Sequence, residues 1–569
     1  MTEEKDNQYY EPETMEALKE FTTEPTGETE EGTTGRANIK VDEVINSITD
    51  TVSYFKASAT EGYATLPNGI HVSIDSDTFE DYILSIAYSQ EPRFYIGPTQ
   101  IHSVKRYLNF EVISNTTYQT KQVFKRVGHD ESNNVWILVD INPIRYIKIT
   151  TGAITEETEC PIIIVLNDRS KALPRLSAKS DLSLVNKYVN VERNQLPLLH
   201  TFIVECFVAN GQFSILQLLG QEQTGKSTLI KILHKLIDPS ENMNVSITDE
   251  WSFYLMANQT HLVDYDNLEK DNMQKWVSSA LSRIATGTAY VKRKLHTNSG
   301  TVSLATANPQ IIASIEQVID KSDVLSRSFV INTPIMESKN YLLDSEFWDA
   351  FDNDYPAIFT GLVKAIQHVL KNKDQADRKN LERMSESHLI GRTLESFEGL
   401  NWGMTYDDSL SNNKEVVAET IIDEKPVAQW LKLYIESNNV RELELTPTQW
   451  LEKMHKDKAD YGIDPTELQL IQQSLPRTSR TLGSRFSQVQ KPLQRFGIHL
   501  TFRRTGSARY WKITNTNTNV TNVTNVTTPT NEAPSNNDIN DINDVYQPSL
   551  EELHKEEQKE TIPWDEIQY

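Results

Sequence analysis

Residues 220–228 read Gly-Gln-Glu-Gln-Thr-Gly-Lys-Ser-Thr, and they join the apolar run 213–219 to the helical stretch Leu229 to Ile237. A strand that feeds a glycine-rich turn and then a helix aims several backbone N–H groups at one point. That restricts the surrounding chain to an α/β arrangement with a largely parallel sheet, and it marks the turn as a seat for phosphate. Gly220 and Gly225 let the main chain curl round an anion with no Cβ in the way. Lys226 is spaced to reach the β- and γ-phosphates, and the Ser227 hydroxyl to ligate Mg²⁺. The candidate nucleoside-triphosphate site is therefore the whole loop: Gly220, Gln221, Glu222, Gln223, Thr224, Gly225, Lys226, Ser227 and Thr228.

With 569 residues the chain is too long for one core, and ordinary domain sizes predict three or four units with tails. Its two cysteines, Cys160 and Cys206, lie in apolar sequence without C-x-x-C spacing, which predicts reduced core residues rather than a metal site. The N-terminal stretch is acidic and has no apolar h-region, and no uninterrupted apolar stretch approaches the roughly 18 residues a membrane span requires. A soluble, cytoplasmic protein without a membrane partner is expected. The net charge of −24 argues at first against nucleic acid, but it is unevenly spread. Residues 1–40 and 531–569 are acidic, whereas Arg477, Arg480, Arg485, Lys491, Arg495, Arg503, Arg504, Arg509 and Lys512 follow one another with no Asp or Glu among them.

The pattern predicts six segments. Residues 1–40 form a disordered acidic tail and 41–184 an α+β accessory unit, with helices over Thr78 to Tyr88 and Gln100 to Phe110. Its strands fall at Gln122 to Val127, Val135 to Ile141, Arg145 to Thr150 and Pro161 to Leu166. Residues 185–335 alternate strand and helix as a nucleotide-binding core demands, and 336–425 form a helical connector, with helices Ser345 to Phe351 and Tyr355 to Leu370. Residues 426–513 read helix (Val427 to Ile435), helix (Thr448 to Lys456), helix (Thr466 to Gln473), helix (Ser479 to Phe496), then a ribbon of Ile498 to Arg503 and Arg509 to Ile513. That order describes a winged helix whose cationic stretch falls on the last helix and the ribbon, the parts that enter a major groove and follow the backbone. Arg480, Arg485, Arg503 and Arg504 are its candidate contacts to duplex DNA. Residues 514–569 open with a low-complexity Thr/Asn/Val spacer and continue as an acidic tail.

Past the loop, residues 261–267 read as an apolar strand ending in a carboxylate. A metal-bound water beside the γ-phosphate needs such a group, and Asp266 is the candidate, with Asp264 the alternative. A hairpin follows, whose arm carries Lys292, Arg293, Lys294 and His296, cations too closely spaced for all to find internal partners and so available to a DNA backbone. The strand Thr301 to Ala307 then runs into Asn308, placed to hold the attacking water by its amide. Arg327 stands between a helix and a strand, where a guanidinium can reach a neighbour's γ-phosphoryl group.

The succession GQEQTGKS, LVDYDN, ALSRIATGTAYVKRKLH, LATANP and VLSRSFVI resembles the core of superfamily 3 helicases, an AAA+ branch, and is most similar to those of phages, plasmids and integrated elements. The resemblance implies a P-loop ATPase core that binds ATP and Mg²⁺, with Lys226, Asp266, Asn308 and Arg327 catalytic, and Ser227 and Asp266 holding the metal. It implies assembly as a ring, a hexamer, that grips single-stranded DNA through Lys292, Arg293, Lys294 and His296. The expected activity is DNA-dependent ATP hydrolysis coupled to helicase movement in replication of a mobile genetic element. A replication initiator switched by ATP, or a duplex packaging or partition motor, are the alternatives. One departure is Asn267, where many AAA+ enzymes place Glu after the metal-binding Asp.

Overall fold

The structure, a computed structural model, describes residues 34–516 apart from 59, 91–92, 242–248, 267, 270–272, 275, 294–300, 305, 320, 337–342, 457–460 and 507. The first unit runs α1 (Thr34–Thr51), β1 (Ser53–Lys56), β2 (Gly62–Thr65), β3 (His71–Ser73), α2 (Asp77–Ser89) and α3 (Pro98–Ser114). Ser76 starts α2 by accepting the Phe79 N–H, with Asp77 and Glu80 in its first turn against the helix dipole. Phe79, Ile83 and Ala87 of α2 and Ile101, Val104, Leu108 and Val112 of α3 fall on the inward faces and pack with β2 and α1. The tail expected through residue 40 is thus already helical from Thr34.

Next come β4 (Val123–Lys125), β5 (Val127–His129), β6 (Val135–Ile141), β7 (Ile144–Ile149), β8 (Ile154–Glu157) and β9 (Ile163–Val165), one sheet in the order β8-β7-β6-β5-β4-β9. The strands expected over 135–141, 145–150 and 161–166 are present, but the one expected over Gln122 to Val127 is broken at Arg126, whose φ of 56° turns the chain so that β4 and β5 pair antiparallel; nor does residue 184 separate two cores. Val127, Val135, Ile137, Val139, Ile147 and Ile149 are buried in the same cluster as Leu216, Leu218 and Leu229 from the loop region. Arg126 pins the sheet there: its fully buried guanidinium pairs with Asp238 at 2.9 Å and donates to the carbonyls of Leu138, Lys171 and Pro239.

The central unit holds α4 (Leu196–Val208), β10 (Ile215–Leu219), α5 (Lys226–Ile237), α6 (Glu250–Gln259), β11 (Val263–Tyr265), α7 (Val277–Ala285), β12 (Tyr290–Arg293), β13 (Thr301–Leu304), β14 (Gln310–Ser314), α8 (Ser322–Leu325) and β15 (Ser328–Asn332). Four strands make a parallel sheet ordered β11-β14-β10-β15. Every residue of β10 is buried, as a parallel strand covered on both faces requires. The strand expected over 301–307 ends at Leu304, and the sheet strand begins only at Gln310. Pro309 divides them: it has no N–H to donate, so the chain turns there and pairs afresh beyond it.

Three helices follow, α9 (Asp344–Asn372), α10 (Ser385–Leu394) and α11 (Tyr406–Glu424). The two helices expected over 345–370 are one, with Pro356 inside it. An interior proline costs about 3 kcal/mol. The helix continues because Phe351, Ile358, Phe359, Leu362, Val363, Ile366 and Val369 are buried along its inward face, each such side chain worth about 1.5–3 kcal/mol. Residues 344–410 therefore complete the central core rather than merely connecting it.

The last unit is α12 (Pro426–Ser437), β16 (Glu442–Leu445), α13 (Pro447–Lys456), α14 (Pro465–Gln473), α15 (Ser479–Arg495), β17 (Ile498–Arg504) and β18 (Arg509–Asn515). Its elements match the expected succession, with one addition. Residues 442–445 form a third strand, giving the order β16-β18-β17 over a core of Trp430, Trp450, Phe486 and Trp511. Among the described residues, no helix is long and apolar enough to cross a membrane.

Candidate nucleotide and nucleic-acid sites

β10 ends at Leu219 and α5 begins at Lys226, so the loop 220–225 crowns the C-terminal end of the central strand. Gly225, the residue that caps α5, has φ +81°, a left-handed conformation that a Cβ disfavours. Gly220 is needed for space: a Cβ there would collide with Thr333 Oγ1 and stand 2.7 Å from the Thr333 carbonyl. Thr333 is the clasp of the loop, its N–H donating to Leu219 O at 2.7 Å and its hydroxyl bonding Thr224 Oγ1 at 2.8 Å. Asn190 holds the far side by donating to Thr224 O at 3.0 Å. The first-turn N–H groups of α5 lack intrahelical partners and point out of the helix end, a cradle for an anion.

Lys226 lies across the loop, its Nζ donating to Gly220 O at 2.6 Å and Gln221 O at 2.7 Å. Burial pushes its ammonium below the ordinary range, opposed by the carboxylates of Asp266 and Glu222. Ser227 Oγ donates to Asp266 Oδ2 at 3.1 Å, so the helix start and the residue just past β11 meet. A hydroxyl and a carboxylate at that separation form an incomplete oxygen set, which suits Mg²⁺ because this ion keeps waters and takes phosphate oxygens as further ligands. No group of three His, Cys, Asp or Glu that would cage a metal by itself occurs among the described residues. Asp264 is fully buried and bonded to His234 Nε2 at 2.8 Å, which makes it an internal strut, not a rival to Asp266. Asn267 lies outside the described residues.

Asn308 is not where the sequence reading put it. It precedes β14, at the end of the sheet away from the loop, and its amide donates to the carbonyls of Thr260 and His261 at 2.6 and 3.1 Å. The residue at the loop end of β14 is Ser314, whose carbonyl accepts the Gly220 N–H at 3.3 Å and whose buried hydroxyl has no partner among the described residues. Sequence reasoning missed it because the proline break was read as a strand end. The register, with Leu219 opposite Ser314, is the signal that identifies it.

Arg327 also stands at the far end, its carbonyl accepting the Ile215 N–H at the start of β10. Its guanidinium pairs with Asp323 at 2.8 Å, and Arg383 joins the same carboxylate at 2.7 Å. Hydrogen bonding from Arg327 holds the Asp323 carboxyl down at about 2. With five strand residues between them, about 16 Å separates this arginine from its own loop. At that distance the Arg327 guanidinium does not reach a phosphate seated in its own loop.

Lys292 and Arg293 lie on β12, paired with β13 as an antiparallel hairpin, while Lys294 and His296 lie outside the described residues. Arg480 and Arg485 are exposed on α15, started by the Thr478 cap on the Thr481 N–H. Arg503 and Arg504 are exposed on β17, Arg503 reaching Glu444 at 2.9 Å and Arg504 facing Arg509 across the ribbon. Cys160 and Cys206 are free thiols, and burial raises both above their ordinary range, Cys160 to about 11.

Residues 180–415 match the family described as actinomycete integrative conjugative element replication protein, and residues 427–530 match the C-terminal domain of that RepA family. No curated protein matches the chain. Among solved structures, an A-form apo structure of the NrS-1 C-terminal region aligns at 13% identity and TM-score 0.35, over 83% of this chain and 98% of that one. A second apo structure of the same region aligns at 14% identity and TM-score 0.35, over 84% and 99%. Such scores are too low to establish a shared fold. The two family matches are consecutive and together take in more than half of the chain, which therefore belongs to the replication-protein family of integrative conjugative elements.

Proposed function

We propose that this replication protein is an ATP-dependent DNA helicase or translocase working in the cytoplasm. The observation that carries the reading is the meeting of Ser227 and Asp266 at 3.1 Å beneath a loop that glycine alone can close. Gly220 to Thr228 would cradle the phosphates through backbone N–H groups, Lys226 exchanging its two carbonyl partners for phosphate oxygens. Mg²⁺ held by Ser227 and Asp266 would supply charge neutralisation at the β- and γ-phosphate oxygens. Ser314, rather than Asn308, would hold the attacking water through its hydroxyl, which is unpartnered among the described residues. Arg327 would act on a neighbouring subunit's nucleotide, so turnover would require a closed oligomer, a hexameric ring by the helicase resemblance. The β12–β13 hairpin would follow single-stranded DNA in that ring, and α15 with the β17–β18 ribbon would hold duplex in the manner of a winged helix.

One feature favours a second reading, an initiator that binds ATP as an assembly switch and unwinds nothing: Asn267 follows Asp266 where a water-polarising Glu is usual. A forked-duplex displacement assay with ATP separates the two. The helicase reading predicts strand release by the unaltered chain and none by Lys226→Ala. ATP binding without displacement or DNA-stimulated turnover would leave the initiator.

A further inference from the structure

The cationic face of the last unit is largely unpaired within the fold. Arg503 and Lys512 are neutralised by Glu444 and Glu442 of β16, but among the described residues Arg477, Arg480, Arg485, Lys491, Arg504 and Arg509 have no ion-pair partner, and all six are exposed. Arg480, Arg485 and Lys491 are exposed on α15, Arg477 stands just before its cap, and Arg504 and Arg509 face each other directly at the ribbon tip. Such a like-charged surface repels itself until an anion covers it.

The same chain carries a matching anion. Residues 531–569 contain eleven Asp or Glu and two Lys, with Glu551, Glu552, Glu556, Glu557 and Glu560 in one ten-residue stretch. Fifteen residues, 516–530, join β18, the strand that forms the ribbon, to this segment. The seven residues of β18 place the ribbon tip about 23 Å from Asn515. A coil of the seventeen residues from there to Glu532 has a root-mean-square span of about 23 Å, and one of thirty-six residues to Glu551 about 33 Å. Spans that equal the distance to be bridged give the highest effective concentration, of order millimolar.

We propose that residues 531–569 dock on the α15 and ribbon face of their own chain and compete there with DNA. The competition rests on the reading of this face as a duplex-binding surface; the docking itself does not. DNA then gains access by displacing an internal polyanion, so its apparent affinity is divided by the fraction of chains whose face is open. Eleven acidic and two basic residues give the segment a net charge of −9, opposite in sign to the face it would cover.

The test uses the full chain and a full-length variant with Glu551, Glu552, Glu556, Glu557 and Glu560 all changed to Gln. A fluorescent peptide of residues 531–569 is titrated into the variant by anisotropy, without DNA. Saturable binding is expected, weakening as salt rises and lost when Arg480, Arg485 and Lys491 are changed to Ser. Absence of binding at low salt would overturn the docking. Duplex binding is then compared, the variant gaining about ten-fold over the natural chain and the added peptide reversing the gain. Equal DNA affinities for the two chains would overturn the competition. Peptide binding by a protein that binds no DNA in either form would refute the duplex-binding reading and leave the docking standing.

Discussion

Arg126→Met removes a buried cation at the joint between the β4–β9 sheet and the central core. In the native protein Arg126 is fully buried and Asp238 nearly so; their 2.9 Å contact is supplemented by guanidinium bonds to Leu138, Lys171 and Pro239 carbonyls. Methionine fills much of the volume but, among the described residues, leaves the Asp238 carboxylate with the His261 N–H alone, at 2.9 Å. Breaking a buried pair from one side costs about 3–5 kcal/mol, and the bonds lost at three carbonyls place the loss toward the upper end. Urea unfolding followed by tryptophan fluorescence should show about 4 kcal/mol less stability, and Arg126→Met with Asp238→Leu should recover part of it. The pH profile carries a second signature. Burial raises the Asp238 carboxyl, but Arg126 and the hydrogen bonds to it outweigh that and hold it below its ordinary range. A depressed carboxyl contributes stability that is complete above its unfolded value, about 4, and lost as pH falls through the folded one. The natural protein should therefore lose stability below about pH 4 and the single variant should lack that component. A loss under about 1 kcal/mol in Arg126→Met would refute the claim that this pair fastens the sheet to the core.

Glu205 is buried in α4, where its Oε1 accepts from Ser214 N and Ser387 Oγ, and burial raises its carboxyl to about 7. A raised carboxyl favours folding below its unfolded value and loses that contribution as pH rises toward 7, so Glu205→Gln should stabilise the protein at pH 8 by up to about 3 kcal/mol and change little at pH 4.5, read by thermal unfolding. Gly225→Ala should weaken nucleotide affinity through about 1–2 kcal/mol of left-handed backbone strain and leave the fold intact, whereas Gly220→Ala should displace the Thr333 clasp and lose binding outright, both read with a fluorescent nucleotide. Arg327→Ala should abolish turnover while sparing nucleotide binding, and mixed with the Lys226→Ala chain it should restore some activity; collapse of binding would make Arg327 a structural residue.

The loop, the strand before it and the helix after it were legible from spacing alone, because glycine position and apolar runs are local properties. So was most of the last unit, whose helices carry their own caps and prolines. What the sequence concealed was set by contacts across the chain. β16 is a four-residue strand with two glutamates, recognisable only from its pairing with β18. Asn308 ended an apolar run and looked like a sensor, but direction along a parallel sheet is fixed by the neighbours, and pairing starts after Pro309. Arg126 lies between two short strands and shows no pattern; only Asp238, 112 residues away, explains its burial.

The most direct test of the account is ATP affinity with and without Mg²⁺, measured for the natural chain and for Asp266→Ala. The natural chain should bind ATP more tightly with the metal, and Asp266→Ala should bind it no better with Mg²⁺ than without. Equal affinities in all four conditions, or no binding by the natural chain, would contradict the assignment of residues 220–228 and Asp266 to a metal–triphosphate site.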